Sequence, residues 1–210
     1  MAEVVYRTAG AADLIAVGRV YLRAFGETLE QFESPDLSPM AMADVAGACM
    51  AAEPDCIGVA EVSGEVVGYI IAILDVRRIR RTALLRGLPL IWLWRWVTGQ
   101  YRLTVRAVRH IIADKLSFWR AAKLPGAGCP RVLSMAVDPE WQRRGIGRGL
   151  LPAAIERLRA KECTCVRLEV RPGNEAARRL YEGFGFAPAG RFEDSRGPWD
   201  VMLLELDERE

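Results

Sequence analysis

The run Gln142-Arg143-Arg144-Gly145-Ile146-Gly147-Arg148 has the residue types and spacing of an anion site. A strand ends at Asp138-Pro139, a Gly-rich turn follows, and a helix begins inside that turn. Such a turn leaves backbone N–H groups pointing outward at the positive end of a helix dipole, which makes a phosphate site built mostly of main chain. Gly145 and Gly147 can take φ > 0 and let a phosphate approach the backbone, while Arg143, Arg144 and Arg148 add charge. Downstream lie a strand carrying Glu169, then Asn174, then Tyr181 on a short helix. A carboxylate can accept a proton and a phenol can give one. Two other phosphate motifs are excluded. A dinucleotide fingerprint needs a Gly where Leu150 stands, and a P-loop needs a Gly-Lys-Ser/Thr that is absent.

The elements that position these residues can be read from hydrophobic period and turn chemistry. Val4 to Arg7 is a short strand, and Asp13 opens a helix whose apolar face is Leu14, Gly18, Tyr21, Leu22 and Phe25. Ser38 with Pro39 caps and starts a second helix that runs to about Ala52. Ile57 to Val62 and Val66 to Leu74 form a hairpin across Ser63-Gly64, and Arg131 to Asp138 is the next strand. Gly145 to Lys161 is an amphipathic helix with Ile146, Leu150, Leu151, Ala154, Ile155 and Leu158 on one face. Cys165 to Arg171 is a strand whose alternation separates Val166, Leu168 and Val170 from Arg167, Glu169 and Arg171. Glu175 to Gly183 is a helix, and Phe186 to Phe192 pairs with Trp199 to Leu206. Antiparallel pairs around one β-α-β crossover imply a mixed sheet flanked by helices.

The chain has 210 residues, 51% hydrophobic and 27% charged, enough for one globular domain with a full core. Met1-Ala2-Glu3 has neither a basic start nor an apolar core, so no secretory leader is expected and the chain reads as cytoplasmic. Five scattered cysteines without a C-x-x-C read as reduced thiols packed in the core. A single histidine, His110, argues against a His-based metal site or a Ser-His-Asp triad. Net charge is +2, yet residues 76–126 hold ten Arg and two Lys against one acid, Asp114. Such asymmetry hints at an anionic partner.

The loop, taken with its flanks, resembles the pantetheine and pyrophosphate loop of the Gcn5-related N-acetyltransferase superfamily, [Q/R]-x-x-G-x-[G/A]. Gln142, Gly145 and Gly147 fill its three fixed places. Met-Ala-Val before Asp-Pro, Leu-Glu-Val, an Asn five residues after that Glu, and Tyr-Glu-x-x-Gly-Phe are most similar to the ribosomal-protein-alanine N-acetyltransferase branch. The resemblance covers Val4 to Leu206 and is most specific from Leu133 to Phe186.

That resemblance implies a single α/β acetyltransferase domain over residues 1–210, with a mixed, mostly antiparallel sheet, to which this sequence adds a helical insertion between the third and fourth strands. It implies acetyl-CoA as cosubstrate, no metal, and an amine acceptor. The acceptor is a peptide or protein N-terminus in the favoured case, and a small molecule in the other. The strand before the loop should carry a bulge that splays it from the next parallel strand, so that pantetheine fills the gap. Met135, Ala136 and Val137 would then offer main-chain groups to the coenzyme, and residues 142–148 would hold its pyrophosphate. Glu169 becomes the general base, with an ion pair to Arg167 or Arg171 as the alternative. Tyr181 becomes the donor to the leaving thiolate, with packing beside Leu180 and Phe184 as the alternative. Asn174 either contacts the coenzyme or only caps a helix.

The basic, Trp-rich insertion over 76–126 departs from the family, whose members join these strands briefly. It reads as helical, with one helix over Gln100 to Lys123 that places Tyr101, Val105, Val108, Ile112 and Trp119 on one face. Its uncharged run, Gly87 to Trp94, is far short of the ~20 residues of a membrane span. Three roles stand: a helical hairpin packed on the domain or on a second subunit, making a homodimer; an interfacial helix on an anionic membrane surface, making the protein peripheral; or a basic collar for an acidic acceptor. Nucleic acid is disfavoured, because the aromatics lack a base-stacking arrangement.

Overall fold

The computed structural model describes residues 3–30, 36–109, 124–195 and 197–206. Among the described residues, seven strands form one sheet in the order β1-β2-β3-β4-β5-β7-β6. They are β1 (Val4–Thr8), β2 (Ile57–Val62), β3 (Glu65–Ile73), β4 (Arg131–Val137), β5 (Cys165–Val170), β6 (Ala187–Asp194) and β7 (Gly197–Glu205). Every neighbouring pair is antiparallel except β4 and β5. The β2–β3 hairpin turns on Ser63 and Gly64, both at positive φ (52° and 85°), the geometry that matches strand twist in a two-residue loop.

Helices cover both faces. Helix α1 (Leu14–Glu30) and α2 (Pro39–Ala52) lie on one, over a core that includes Val17, Val20, Ala46, Ile57, Tyr69 and Ile71. The deepest residues of α1 are thus Val17 and Val20, one position off the expected stripe. Close packing explains Gly18, since a Cβ there would lie 2.2 Å from the Pro39 carbonyl oxygen. The Ser38 side chain accepts from Met40 N and Pro39 sits in the first turn, as expected for that cap.

The opposite face carries α5 (Ile146–Arg159) and α6 (Glu175–Glu182), numbered after α3 (Val76–Leu85) and α4 (Leu88–Val97). All six expected apolar residues of α5 are buried. They pack on Val166, Leu168 and Val170 of β5, so the alternation read from sequence holds.

The insertion opens with α3 (Val76–Leu85) and α4 (Leu88–Val97), separated by Gly87 at φ 66°. Asp75 caps α3, its side chain accepting from Arg77 N, and the buried Glu53 carboxylate accepts from Leu74 N and Asp75 N at the exit of β3. The single helix expected from Gln100 does not begin there. Gly99 and Arg102 take positive φ, residues 102–104 are irregular, and helix resumes over 105–109. Tyr101 is buried and Val105 exposed, so the two share no face. The remainder of that expectation, and His110, lie outside the described residues.

The cysteines also depart from expectation. Cys129 and Cys165 form a disulfide with Cα atoms 5.5 Å apart. Parallel pairing of Arg131 with Arg167 sets the entries of β4 and β5 side by side, and a separation of 36 residues carries no trace of that register. Cys49, Cys56 and Cys163 are thiols, and burial pushes Cys56 up to about 12.

Candidate active site

The site begins with a defect in β4. Opposite β3, Ile71 pairs with Ser134 but Ala72 pairs with Val132, so Leu133 is an extra residue, a β-bulge. On its other side β4 pairs with β5 only at Arg131↔Arg167 and Val132↔Leu168. Beyond the bulge the two parallel strands diverge, and residues 133–137 of β4 have no partner residue on β5. This is the splayed pair expected from the resemblance.

Main-chain direction along the gap follows from one hydrogen bond. Asp138 N donates to Val67 O at 2.9 Å. Alternation then turns Ser134 and Ala136 toward β3 and turns Met135 and Val137 toward the gap. The Val137 carbonyl accepts from Gln142 Nε2 at 3.0 Å, which ties the loop to the strand end.

The loop is held from below. Asp138 starts a 3-10 turn (Pro139–Trp141), its side chain accepting from Glu140 N. Arg23 of α1 pairs with Asp138 at 2.8 Å. Arg144 stacks on Trp141 at 4.7 Å. Arg143 and Gly145 take positive φ, 60° and 82°. Gly145 is the N-cap of α5 and brings no side-chain cap, so the first N–H groups of that helix stay available to a ligand. Gly147 is helical rather than at positive φ, and a Cβ there would make only ordinary contact with Leu180, at 3.4 Å.

The expected proton-handling residues lie on opposite faces of the sheet. Tyr181 is in the core under α5 and α6, against which Met135 and Val137 pack. It is 7% exposed, and burial pushes its phenol up to about 12. Glu169 is on the other face. Arg167 Nε donates to its Oε1 at 2.8 Å, and an Arg131 nitrogen lies 3.3 Å from the same oxygen. The ion-pair alternative for Glu169 is therefore realised with Arg167. Arg171 instead pairs with Asp194 at 2.8 Å and lies over Trp199. Asn174 caps α6, accepting from Ala177 N at 3.1 Å.

Two participants were missed by reading the sequence. Arg131 needs the β4–β5 register to meet Glu169, and no local pattern reveals it. Burial lowers its pKa, Glu169 opposes that, and the charges of Arg167 and of Arg80 on α3 add to it. Arg80, on the first helix of the insertion, is thus near enough to act on Arg131. Tyr69, buried at the centre of β3, shares a 2.7 Å hydrogen bond with Ser134 beside the bulge. Among the described residues, no cluster of three or more His, Cys, Asp or Glu gathers.

A strand gap opening onto an uncapped helix start can take an extended, phosphorylated ligand, with a carboxylate on one face and a phenol on the other. Known proteins share this fold. The sequence matches the acetyltransferase (GNAT) family over residues 22–186. It is 30% identical over 114 residues to the [ribosomal protein bS18]-alanine N-acetyltransferase of Salmonella typhimurium, covering 52% of this chain and 68% of that one. It is 43% identical over 75 residues to the mycothiol acetyltransferase of Nocardiopsis dassonvillei, covering 33% of this chain but only 23% of that longer protein. The fold is similar, at TM-score 0.59 and 19% identity, to a putative acetyltransferase from Salmonella typhimurium solved with its cofactor acetyl-CoA, covering 98% and 95% of the two chains. On the family match and the fold together, the chain belongs to the acetyltransferase (GNAT) family.

Proposed function

We propose that this chain moves an acetyl group from acetyl-CoA to a primary amine, a peptide or protein α-amine in the favoured case, by direct attack. The observation that carries the reading is the β4–β5 gap running into the bare N-terminus of α5. Pantetheine completes the sheet in the gap, bonded to the main chain of Met135 and Val137, with Ala136 between them turned to β3. The pyrophosphate sits on residues 142–148, where Arg143, Arg144 and Arg148 supplement the N–H groups of Ile146 and Gly147. Asn174 caps α6 and is the position to which the family resemblance gives a coenzyme contact.

Attack needs a neutral amine. At neutral pH, deprotonation costs an α-amine roughly 1 kcal/mol and a lysine roughly 4–5 kcal/mol, which favours the former. The amine nitrogen bonds to the thioester carbon, and the carbonyl electrons move to oxygen, where a gap-facing N–H stabilises the charge. Glu169 receives the ammonium proton, through a water if its bonds to Arg167 and Arg131 persist. The oxyanion electrons then re-form the carbonyl of the amide as the C–S bond breaks with its electrons on sulfur. A phenol at about 12 is a weaker acid than a thiol near 8.5, so complete transfer to a free thiolate is uphill by about 5 kcal/mol. Tyr181 therefore acts as a hydrogen-bond donor to the sulfur while the bond is breaking.

The test is thioester consumption against a panel of peptides and small amines. Glu169→Gln should slow turnover most at low pH, where more acceptor is protonated, with coenzyme affinity nearly intact. Tyr181→Phe should lower the maximal rate about 10- to 100-fold, the worth of one hydrogen bond to a charged atom. Turnover restricted to small amines would move the assignment to a small-molecule acetyltransferase, a reading that similarity to the mycothiol enzyme supports. Tight coenzyme binding with no turnover on any amine would leave an acyl-CoA-binding module.

A further inference from the structure

Helix α4 is inside out. Its one charged residue, Arg95, turns inward to the Asp44 carboxylate on α2, and Trp96 Nε1 donates inward to Leu103 O at 3.0 Å. Leu90, Leu93, Trp94 and Val97 fall at i, i+3, i+4 and i+7, one face of a helix. That face points to solvent, each residue between 52% and 73% exposed. Leu84 and Leu85 extend the apolar surface across the end of α3, at 69% and 78% exposure. Large apolar residues gathered on one exposed helix face mark an interaction site.

Charge identifies the occupant. From residue 76 to 109 the sequence holds nine arginines and no acid. On α3, the positions of Arg77, Arg78 and Arg81 share one helical face with Leu84 and Leu85, and all five are exposed. A second copy of the chain, docked symmetrically through this patch, would bring two arginine-bearing surfaces together with no acid from residues 76–109 to pair them. An anionic lipid surface offers opposite charge to the arginines and hydrocarbon to the leucines and Trp94. Among the described residues no helix is long and apolar enough to cross a membrane, so the hairpin would lie in the interface rather than span. We propose that the α3–α4 hairpin docks this protein on anionic phospholipid membranes, with Leu90, Leu93, Trp94 and Val97 inserted and the α3 arginines at the headgroups. The hairpin leaves the sheet beside Arg131, so docking would bring the membrane to the Glu169 side of the site.

The test is flotation of the full chain with vesicles of phosphatidylcholine alone or with about 30 mol% phosphatidylglycerol. The chain should float with the anionic vesicles at least tenfold better than with the neutral ones, and about 0.5 M salt should weaken that binding. Leu90→Glu with Trp94→Glu should abolish flotation, and Arg77→Glu with Arg81→Glu should reduce it about tenfold, both with unchanged melting temperature and coenzyme affinity. Equal flotation on both vesicle types, none on either, or a full response from the Leu90→Glu/Trp94→Glu variant would overturn the proposal. So would a stable dimer in solution that this variant converts to monomer, which would make the patch a subunit interface. Coenzyme titration of the same samples keeps this result separate from the fate of the catalytic reading.

Discussion

Glu169 sits 7% exposed between two guanidinium groups, an arrangement that holds a carboxylate in one orientation while leaving it surrounded by positive charge. Removing its charge leaves Arg131 and Arg167 facing a neutral amide, so Glu169→Gln should lower the melting temperature as well as the rate. A purely structural role would show the first effect without the low-pH dependence of the second. Tyr181 makes a separate, alkaline prediction. Its phenol is held neutral by burial, with a folded pKa of about 12 above an unfolded value near 10. That contribution is fully present below pH ~10 and is lost as pH rises toward ~12, because the unfolded phenol ionises first. Denaturant titrations over this range should show stability falling more gently in Tyr181→Phe than in the parent. Tyr69 is raised for the same reason, so some of the slope should survive the substitution.

At the scale of elements, the site depends on β4 and β5 being joined at one end and apart at the other. The bulge at Leu133 opens the gap, and the Cys129–Cys165 disulfide clamps the opposite end, just before the two paired positions. Closing a loop of 36 residues stabilises the fold by about 3–4 kcal/mol in the chain-entropy account. Cys129→Ser, or reductant added to the parent, should therefore lower thermal stability, and reductant should have no further effect on the variant. Equal melting curves with and without reductant would show that the bond carries no stabilisation. The elements themselves were largely legible. Turn chemistry at Ser63-Gly64, the cap at Ser38-Pro39 and the period of α5 are local signals, and each element formed where its residues indicated. The disulfide and the Arg131–Glu169 pair were not legible, because both depend on a parallel register that joins positions 36 residues apart, such as Cys129 and Cys165. The face of α4 was illegible for a different reason. Its residues are apolar on nearly every side, so periodicity cannot choose the inner face, and Asp44 on a distant helix decides it.

Across the whole molecule, the loop and the insertion occupy opposite ends of β4. The anion cradle forms where β4 ends, at Val137, and the insertion leaves β3 at Ile73, paired with Arg131 at the start of β4. A coenzyme entering along α5 and an acceptor arriving from the insertion side would meet across the gap. The family motif was legible because it is contiguous, whereas the surface presented by the insertion emerges only once α4 is docked. The account rests on main-chain amides of β4 and α5 holding the donor. Amide hydrogen exchange of the full chain, with and without saturating acetyl-CoA, tests that claim most directly. Exchange should slow at Met135, Val137 and residues 143–148. Coenzyme binding that leaves exchange across residues 135–148 unchanged would contradict it.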